Sequence, residues 1–508
     1  RASEPGGGAG GTWYWNRYPG ARSDSDSYVY GFTFDEQLWR DWEWSERYPE
    51  QHEIRAYLEH VAQRFDLNRD ITFDTRVTAA TFADDAWEVE TDSGETVRAR
   101  YLITAVGALS ASNTPPFPGI DSFRGDSYHT GLWPREKVDF TGKRVGIIGT
   151  GASAVQAIPL IAKEAANLTV FQRTANYIIP ANNGPVPDEV RRARLDDYDG
   201  IRERIQRSYF GFELNLMEKG ALESTQEEVD AELMPRWEQG GFHIWLGSYV
   251  DMFFNDEANA KVRNFLHDRI RETVHDPQTA ELLIPKGYPF GVKRNPLDSG
   301  YFETFNEPHV HLVDVKSNPV AEITPSGVRL TDGSEYEFDA IVYATGFDAM
   351  TGPMNKIDIR GRGGQLLREK WAEGPRTYLG LTSAGFPNLF SITGPQSPSV
   401  LSNMPVSIEQ HVDLVGAIIA EVRARGASTV EPTASAEDAW VTENAELVKP
   451  TLFECADTWY MGANIPGKPR VFMPNLSFVG PYRQKCDAVV ADGFRGFAFD
   501  VDREMAST

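Results

Sequence analysis

Cysteine is almost missing from this chain: only Cys455 and Cys486 occur in 508 residues, far apart and with no CxxC pair. That excludes a disulfide framework, a CxxC metal site and the paired dithiol of a disulfide reductase. Positive charge is also scarce. The 50 Lys and Arg stand against 74 Asp and Glu, a formal net charge of −24. The chain therefore lacks the basic footprint of a nucleic-acid binder, and any anionic ligand must be held by a few local cations. No apolar run approaches the ~18 residues of a membrane span. No repeat of solenoid period and no long low-complexity tract occurs. The first residues, from Arg1, carry no charged and apolar leader pattern. Together these absences give the expectation of a cytoplasmic protein that binds neither nucleic acid nor membrane.

What is present suits a globular enzyme: 41% hydrophobic and 12% aromatic residues, over a length that fits two or three domains. Apolar runs bounded by Gly and Asp predict strands at residues 96–104, 144–148, 168–171 and 339–344. Helical periodicity follows several of them. The alternation implies an α/β fold, two doubly wound dinucleotide-binding domains with a helical insertion. The second domain is expected to interrupt the first, dividing the chain into residues 1–112, 113–340 and 341–508. Within the middle part, residues 187–285 are rich in Glu and Arg and lack a strand pattern, which predicts helices over a cleft. The chain is expected to cross between domains at Ala105-Val106-Gly107-Ala108-Leu109-Ser110 and at Ala344-Thr345-Gly346-Phe347-Asp348, where a glycine ends each strand.

Gly149-Thr150-Gly151-Ala152-Ser153-Ala154 follows the 144–148 strand and reads as a GxGxxA turn opening a helix. Gly149 permits the tight bend, Gly151 lets a pyrophosphate approach the backbone, and Ala154 allows close helix packing, while the first-turn amides up to Val155 add donors. About 20 residues on, such folds present an acid to the ribose of NAD. This chain presents Arg173-Thr174 instead. A cation there attracts a 2'-phosphate, which favours NADPH over NADH.

The stretch from Phe123 through Gly125, His129 and Trp133 to Pro134 has the spacing FxGxxxHxxxWP. With the GxGxxA turn and the ATGFD string at 344–348, it resembles the type I Baeyer-Villiger monooxygenases. These are flavoproteins that insert one oxygen atom of O2 beside a ketone carbonyl using NADPH and FAD. The resemblance runs from Glu4 to Gly496-Phe497.

That resemblance implies roles. Glu4, ahead of the glycines from Gly6 to Gly11, would accept hydrogen bonds from the ribose of FAD, with the first strand and its GxGxxG turn expected upstream of residue 1. Val77 would lie against the adenine and Met404 near the flavin. Thr12, Trp13, Tyr14, Trp15 and Tyr30 would line the isoalloxazine or fill core. Asp24, in Arg22-Ser23-Asp24, matches the family's acid beside the flavin, and Lys293-Arg294 matches its KR pair. Lys293 would join Arg173 at the 2'-phosphate. Arg294, paired with Asp24, would be the catalytic cation that stabilises a flavin C4a-peroxide and the adduct it forms with the ketone, by on the order of a few kcal/mol per donor. Leu401 and Ser402 belong to a substrate-side loop in which Gln396 replaces a commoner glycine, and Trp459 resembles a mobile-loop tryptophan over nicotinamide and substrate. His129 reads as a structural hydrogen-bonding residue, not an acid or base. Two alternatives stand beside this. One is a flavin-containing or N-hydroxylating monooxygenase acting on sulfur or nitrogen, which the Trp133-Pro134 ending disfavours. The other is a noncatalytic, truncated NADPH-binding remnant.

Overall fold

Val145, Ile147 and Ile148 are buried on both sides of one short strand, the signature of a parallel sheet covered on both faces. In the structure, a computed structural model that describes residues 1–501, this strand, Arg144–Ile148, is the middle of five. The order across the sheet is Val310–Asp314, Asn167–Gln172, Arg144–Ile148, Ala340–Tyr343 and Asp126–His129, all parallel. Successive strands go to one side of Arg144–Ile148 while Ala340–Tyr343 and Asp126–His129 lie on the other. The order therefore reverses at this strand, and a crevice opens at its carboxyl end. Helix Ala152–Glu164 makes the crossover to Asn167–Gln172, and its Ala154, Val155, Ala157, Ile158 and Ile161 are buried in the core beneath the sheet.

The remaining strands form smaller sheets. Ala2–Ser3 pairs in parallel with Ile71–Thr72. Asp358–Arg360, Val77–Ala83, Ala86–Thr91 and Thr96–Ala99 form a four-stranded sheet around the fully buried Trp87. The single strand expected over 96–104 is two strands. Thr96–Ala99 is antiparallel to Ala86–Thr91, whereas Leu102–Thr104 runs parallel to Leu389–Ser391 in another sheet. The chain changes sheets at Arg100-Tyr101, where the Arg100 guanidinium donates to the carbonyls of Ala427 and Ser428.

Residues 187–285 hold helices and, among the described residues, no strand; the longest are Gln226–Gln239 and Asp256–Thr273. Thr225 and Glu228 start the first of these with a reciprocal capping box. Val229, Leu233, Val262 and Phe265 then bury against residues from both chain ends, including Tyr57 and Tyr460, in the largest apolar core. The two crossing segments lie side by side: Asn113 N donates to Gly346 O at 2.9 Å, Asp348 N to Ala111 O at 2.8 Å and Met350 N to Ala108 O at 2.7 Å. Among the described residues, no helix is long and apolar enough to cross a membrane.

Candidate active site

The turn after the central strand has the shape its glycines require. Gly149 adopts φ +113°, and a Cβ there would sit 2.4 Å from the Ala344 carbonyl oxygen, so only glycine lets these strand ends close up. Gly151 has ordinary φ, and a Cβ on it would meet nothing within 4 Å. The space beyond it is open to a ligand. Ala152 is exposed, Ser153 half-buried, and Ala154 and Val155 are fully buried against the sheet. No side chain caps the helix, so its first amides remain free to meet a phosphate. Thr150 Oγ1 donates to Thr174 O at 3.0 Å and Asn176 Nδ2 donates to Thr150 O at 2.6 Å, fixing the turn to the segment after the next strand.

That segment carries Arg173, exposed at the end of Asn167–Gln172. Lys293 comes close enough to feel it. Burial first, and Arg173 second, push the Lys293 ammonium down to about 8, and its Nζ lies 4.1 Å from the centre of the Tyr288 ring. Among the described residues neither cation makes an ion pair. Two neighbouring positive groups that make no ion pair among the described residues, with Asp457 acting on Lys293 only as a weaker opposing charge, fit a phosphate-bearing nicotinamide nucleotide.

Arg294 is treated differently from its neighbour. Its Nε and Nη2 donate to the two Asp24 oxygens at 2.8 and 2.6 Å, a bidentate pair between groups 270 positions apart in sequence. Nη1 donates to Val400 O at 3.2 Å, and the guanidinium lies 5.5 Å from the Phe242 ring centre. Burial acts to lower its pKa, but Asp24 outweighs burial and holds the group charged. The side chains remain 23% and 24% exposed, so the pair lies at a cleft and not in sealed core. A cavity of about 750 Å³, lined by Asp24, Arg47, Tyr48, Phe212 and Phe242 among others, opens beside it.

The aromatic run reaches this pair through Tyr30. Trp13 Nε1 donates to the Tyr30 hydroxyl at 2.9 Å, and burial pushes that phenol up to about 12 with Asp24 and Arg294 nearby. Thr12 is exposed, Trp15 half-buried, and Tyr14 buried with Arg17, Arg55 and Arg135 each over its ring at 5.1 to 5.2 Å. Glu4 accepts from Gly6 N at 2.8 Å; burial raises its pKa, opposed by that bond and by Trp15. Three guanidiniums beside the glycine run are a local concentration of positive charge of the kind that could meet a pyrophosphate. Val77 begins its strand opposite Thr91, partly buried. Arg22 spends its guanidinium on Glu46 at 3.1 Å and Glu50 at 2.9 Å, and the buried Ser23 closes a local turn with Ser25.

On the C-terminal side, Leu401 and Ser402 are buried directly after Val400, and Ser402 Oγ bonds within its own loop to Ser399 O at 2.7 Å. Met404 starts helix Met404–Ala424 and is half-buried. Gln396 adopts φ +66°, a conformation that favours glycine; its side-chain oxygen accepts from Thr377 N and Oγ1 at 3.1 and 2.7 Å, which offsets the strain. Trp459 packs on Tyr460 at 4.3 Å between ring centres. His129 Nδ1 accepts from Gly131 N at 3.0 Å, its Nε2 lies 3.3 Å from Asn113 O, and burial lowers its pKa. It holds the linker.

Several residues escaped the sequence reading. Phe242 beneath Arg294, the arginines around Tyr14, and the fully buried Tyr460, whose electrostatic neighbours are Arg294 and Asp24, have partners distant in sequence. Only the adjacency of Tyr460 to Trp459 pointed that way. Among the described residues no cluster of His, Cys, Asp or Glu is arranged to hold a metal.

Comparison with known proteins gives the family. Residues 33–182 match the family described as pyridine nucleotide-disulphide oxidoreductase, although neither Cys455 nor Cys486 falls in that span. A solved steroid monooxygenase bound to NADP is 48% identical, covering 99% of this chain and 95% of its own, with a TM-score of 0.94. The solved OTEMO complex with FAD and NADP is 41% identical, covering 98% and 94%, also with a TM-score of 0.94. A Baeyer-Villiger monooxygenase from Pseudooceanicola batsensis is 43% identical over 494 residues, 97% of this chain and 90% of that protein. By sequence and fold, the chain belongs to the Baeyer-Villiger monooxygenases.

Proposed function

We propose that this chain converts a ketone to an ester or lactone, with the balance ketone + O2 + NADPH + H⁺ giving ester + NADP⁺ + H2O. FAD, reduced by NADPH, supplies the activation of O2. Glu4, Thr12 to Trp15, Tyr30, Val77 and Met404 would hold it, and the 149–155 turn with Arg173, Thr174 and Lys293 would hold NADPH. The domain division that fits these assignments is 1–112 and 341–508 for FAD and 113–340 for NADPH.

The observation that carries this reading is the bidentate Asp24–Arg294 pair on the cleft. Oxygen insertion builds negative charge on oxygen, first as oxygen attacks the carbonyl carbon and then on the former carbonyl oxygen. A guanidinium that cannot lose its proton and is already aimed by Asp24 stabilises that charge without reorganising. Asp24 orients Arg294 through both its oxygens. Leu401, Ser402 and Trp459 would shape the space for the ketone.

The test is a panel of linear, cyclic and aryl ketones with NADPH and air, following ester by chromatography. Arg294→Ala should leave NADPH reducing the flavin within a few-fold while ester formation falls by roughly 100-fold or more. Ester formation at the wild-type rate would overturn the role of Arg294.

A further inference from the structure

The fully buried Tyr460 has a hydroxyl with no hydrogen-bond partner among the described residues, yet Arg294 and Asp24 are its electrostatic neighbours. What sets the position of the short 459–461 turn that bears it is therefore a question of the site. Within the turn Met461 N donates to Thr458 O at 3.1 Å, and from outside it Met473 N donates to Tyr460 O at 2.8 Å. Beyond it, the segment is tied elsewhere. Lys468 Nζ donates to Asp348 Oδ1 and to Ala349 O, both at 2.6 Å, with the lysine side chain only 8% exposed. Asn464 Nδ2 donates to Phe347 O at 2.8 Å.

Both anchors thus grip the Phe347–Ala349 backbone, which is itself gripped by the fingerprint. Thr345 Oγ1 donates to Asn113 O at 2.6 Å, the same carbonyl that faces His129 Nε2. The Phe347 ring meets His129 edge-on at 6.4 Å, and a Cβ on Gly131 would lie 2.7 Å from it. A continuous set of contacts therefore runs from His129 through Phe347 and Asp348 to Lys468, and along the chain to Tyr460.

We propose that Lys468 and Asp348 are positioning residues whose ion pair ties the 458–470 segment to the crossing strand, and so sets how Trp459 and Tyr460 meet the Arg294–Asp24 pair. A lysine held by one carboxylate and one carbonyl in a buried place has no equivalent alternative partner, so the pair specifies one location for the segment. This rests on the function proposed above, in which Arg294 and Asp24 face the reacting oxygen.

The test uses the full-length flavin-loaded protein with Asp348→Asn and Lys468→Met. Hydrogen exchange of the 459–463 amides should accelerate at least about tenfold in both. With ketone present, more of the NADPH consumed should end in H2O2, by NADPH + H⁺ + O2 giving NADP⁺ + H2O2, at the expense of ester. The anaerobic rate of flavin reduction should stay within about twofold, a split that general loss of structure would not produce. Unchanged exchange in Asp348→Asn, or faster exchange with an unchanged ratio of ester to H2O2, would overturn the proposal. If Lys468→Met does not fold, the near-isosteric Asp348→Asn decides alone. If the wild-type protein forms no ester from any ketone, the functional reading fails, and the exchange rates still decide whether the pair holds the segment.

Discussion

The depressed ammonium of Lys293 makes nucleotide affinity depend on pH in a direction opposite to that of stability. In the ligand-free protein it titrates at about 8 instead of 10.5, because it is buried and faces Arg173. A 2'-phosphate in contact with both cations favours the protonated form and draws the value back up. NADP⁺ affinity must then fall about tenfold per pH unit above 8 until the bound value is reached. Full restoration to the ordinary value gives a loss on the order of 300-fold, or about 3 kcal/mol, across that window. The protein without nucleotide behaves inversely. Its folded pKa lies below the unfolded one, so the unfolded chain binds more protons between about 8 and 10.5, and the Lys293 contribution to stability improves as pH rises. Calorimetric titration of NADP⁺ and NAD⁺ at several values between about pH 7.5 and 9.5 separates the two, since NAD⁺ lacks the phosphate. Lys293→Met should remove most of the slope for NADP⁺. Equal slopes for both nucleotides, or a slope that survives Lys293→Met, would refute the assignment.

Two further outcomes are expected. Arg173→Ala should weaken NADPH binding by about tenfold or more and change NADH binding by less than about twofold; equal losses with both nucleotides would place the 2'-phosphate elsewhere. Gly149→Ala and Gly151→Ala separate folding from binding at one turn. The first puts a Cβ 2.4 Å from Ala344 O at φ +113° and should lower stability in denaturant by about 2 kcal/mol or more, whereas the second meets nothing within 4 Å and should change it by less than about 1 kcal/mol while weakening NADPH binding.

The sequence was most readable where the structural cause is local. Arg144–Ile148, its glycine turn and the following helix are specified by an apolar run and by the backbone freedom of Gly149, all within 21 residues. The break between Thr96–Ala99 and Leu102–Thr104 was not readable, because both halves have the same β character and differ only in their partners, Ala86–Thr91 and Leu389–Ser391. The candidate site shows the same boundary. Asp24 and Arg294 were expected together only through resemblance, since nothing in either neighbourhood encodes a partner 270 positions away. Lys468 sits between Gly467 and Pro469 with nothing nearby in sequence to name a partner, and its burial against Asp348 came from the fold alone.

The paired crossing segments have a mechanical consequence. Residues 108–113 and 344–350 share backbone hydrogen bonds, so they form a two-stranded ribbon where two independent tethers would otherwise run. A ribbon bends across its face far more readily than it shears along its length or splays in its plane. The ribbon therefore resists sliding of one crossing past the other, and Tyr18 and the Arg22 carbonyl, both bonded to Gln156, add a second attachment between the helix behind the Gly149 turn and the N-terminal part of the chain.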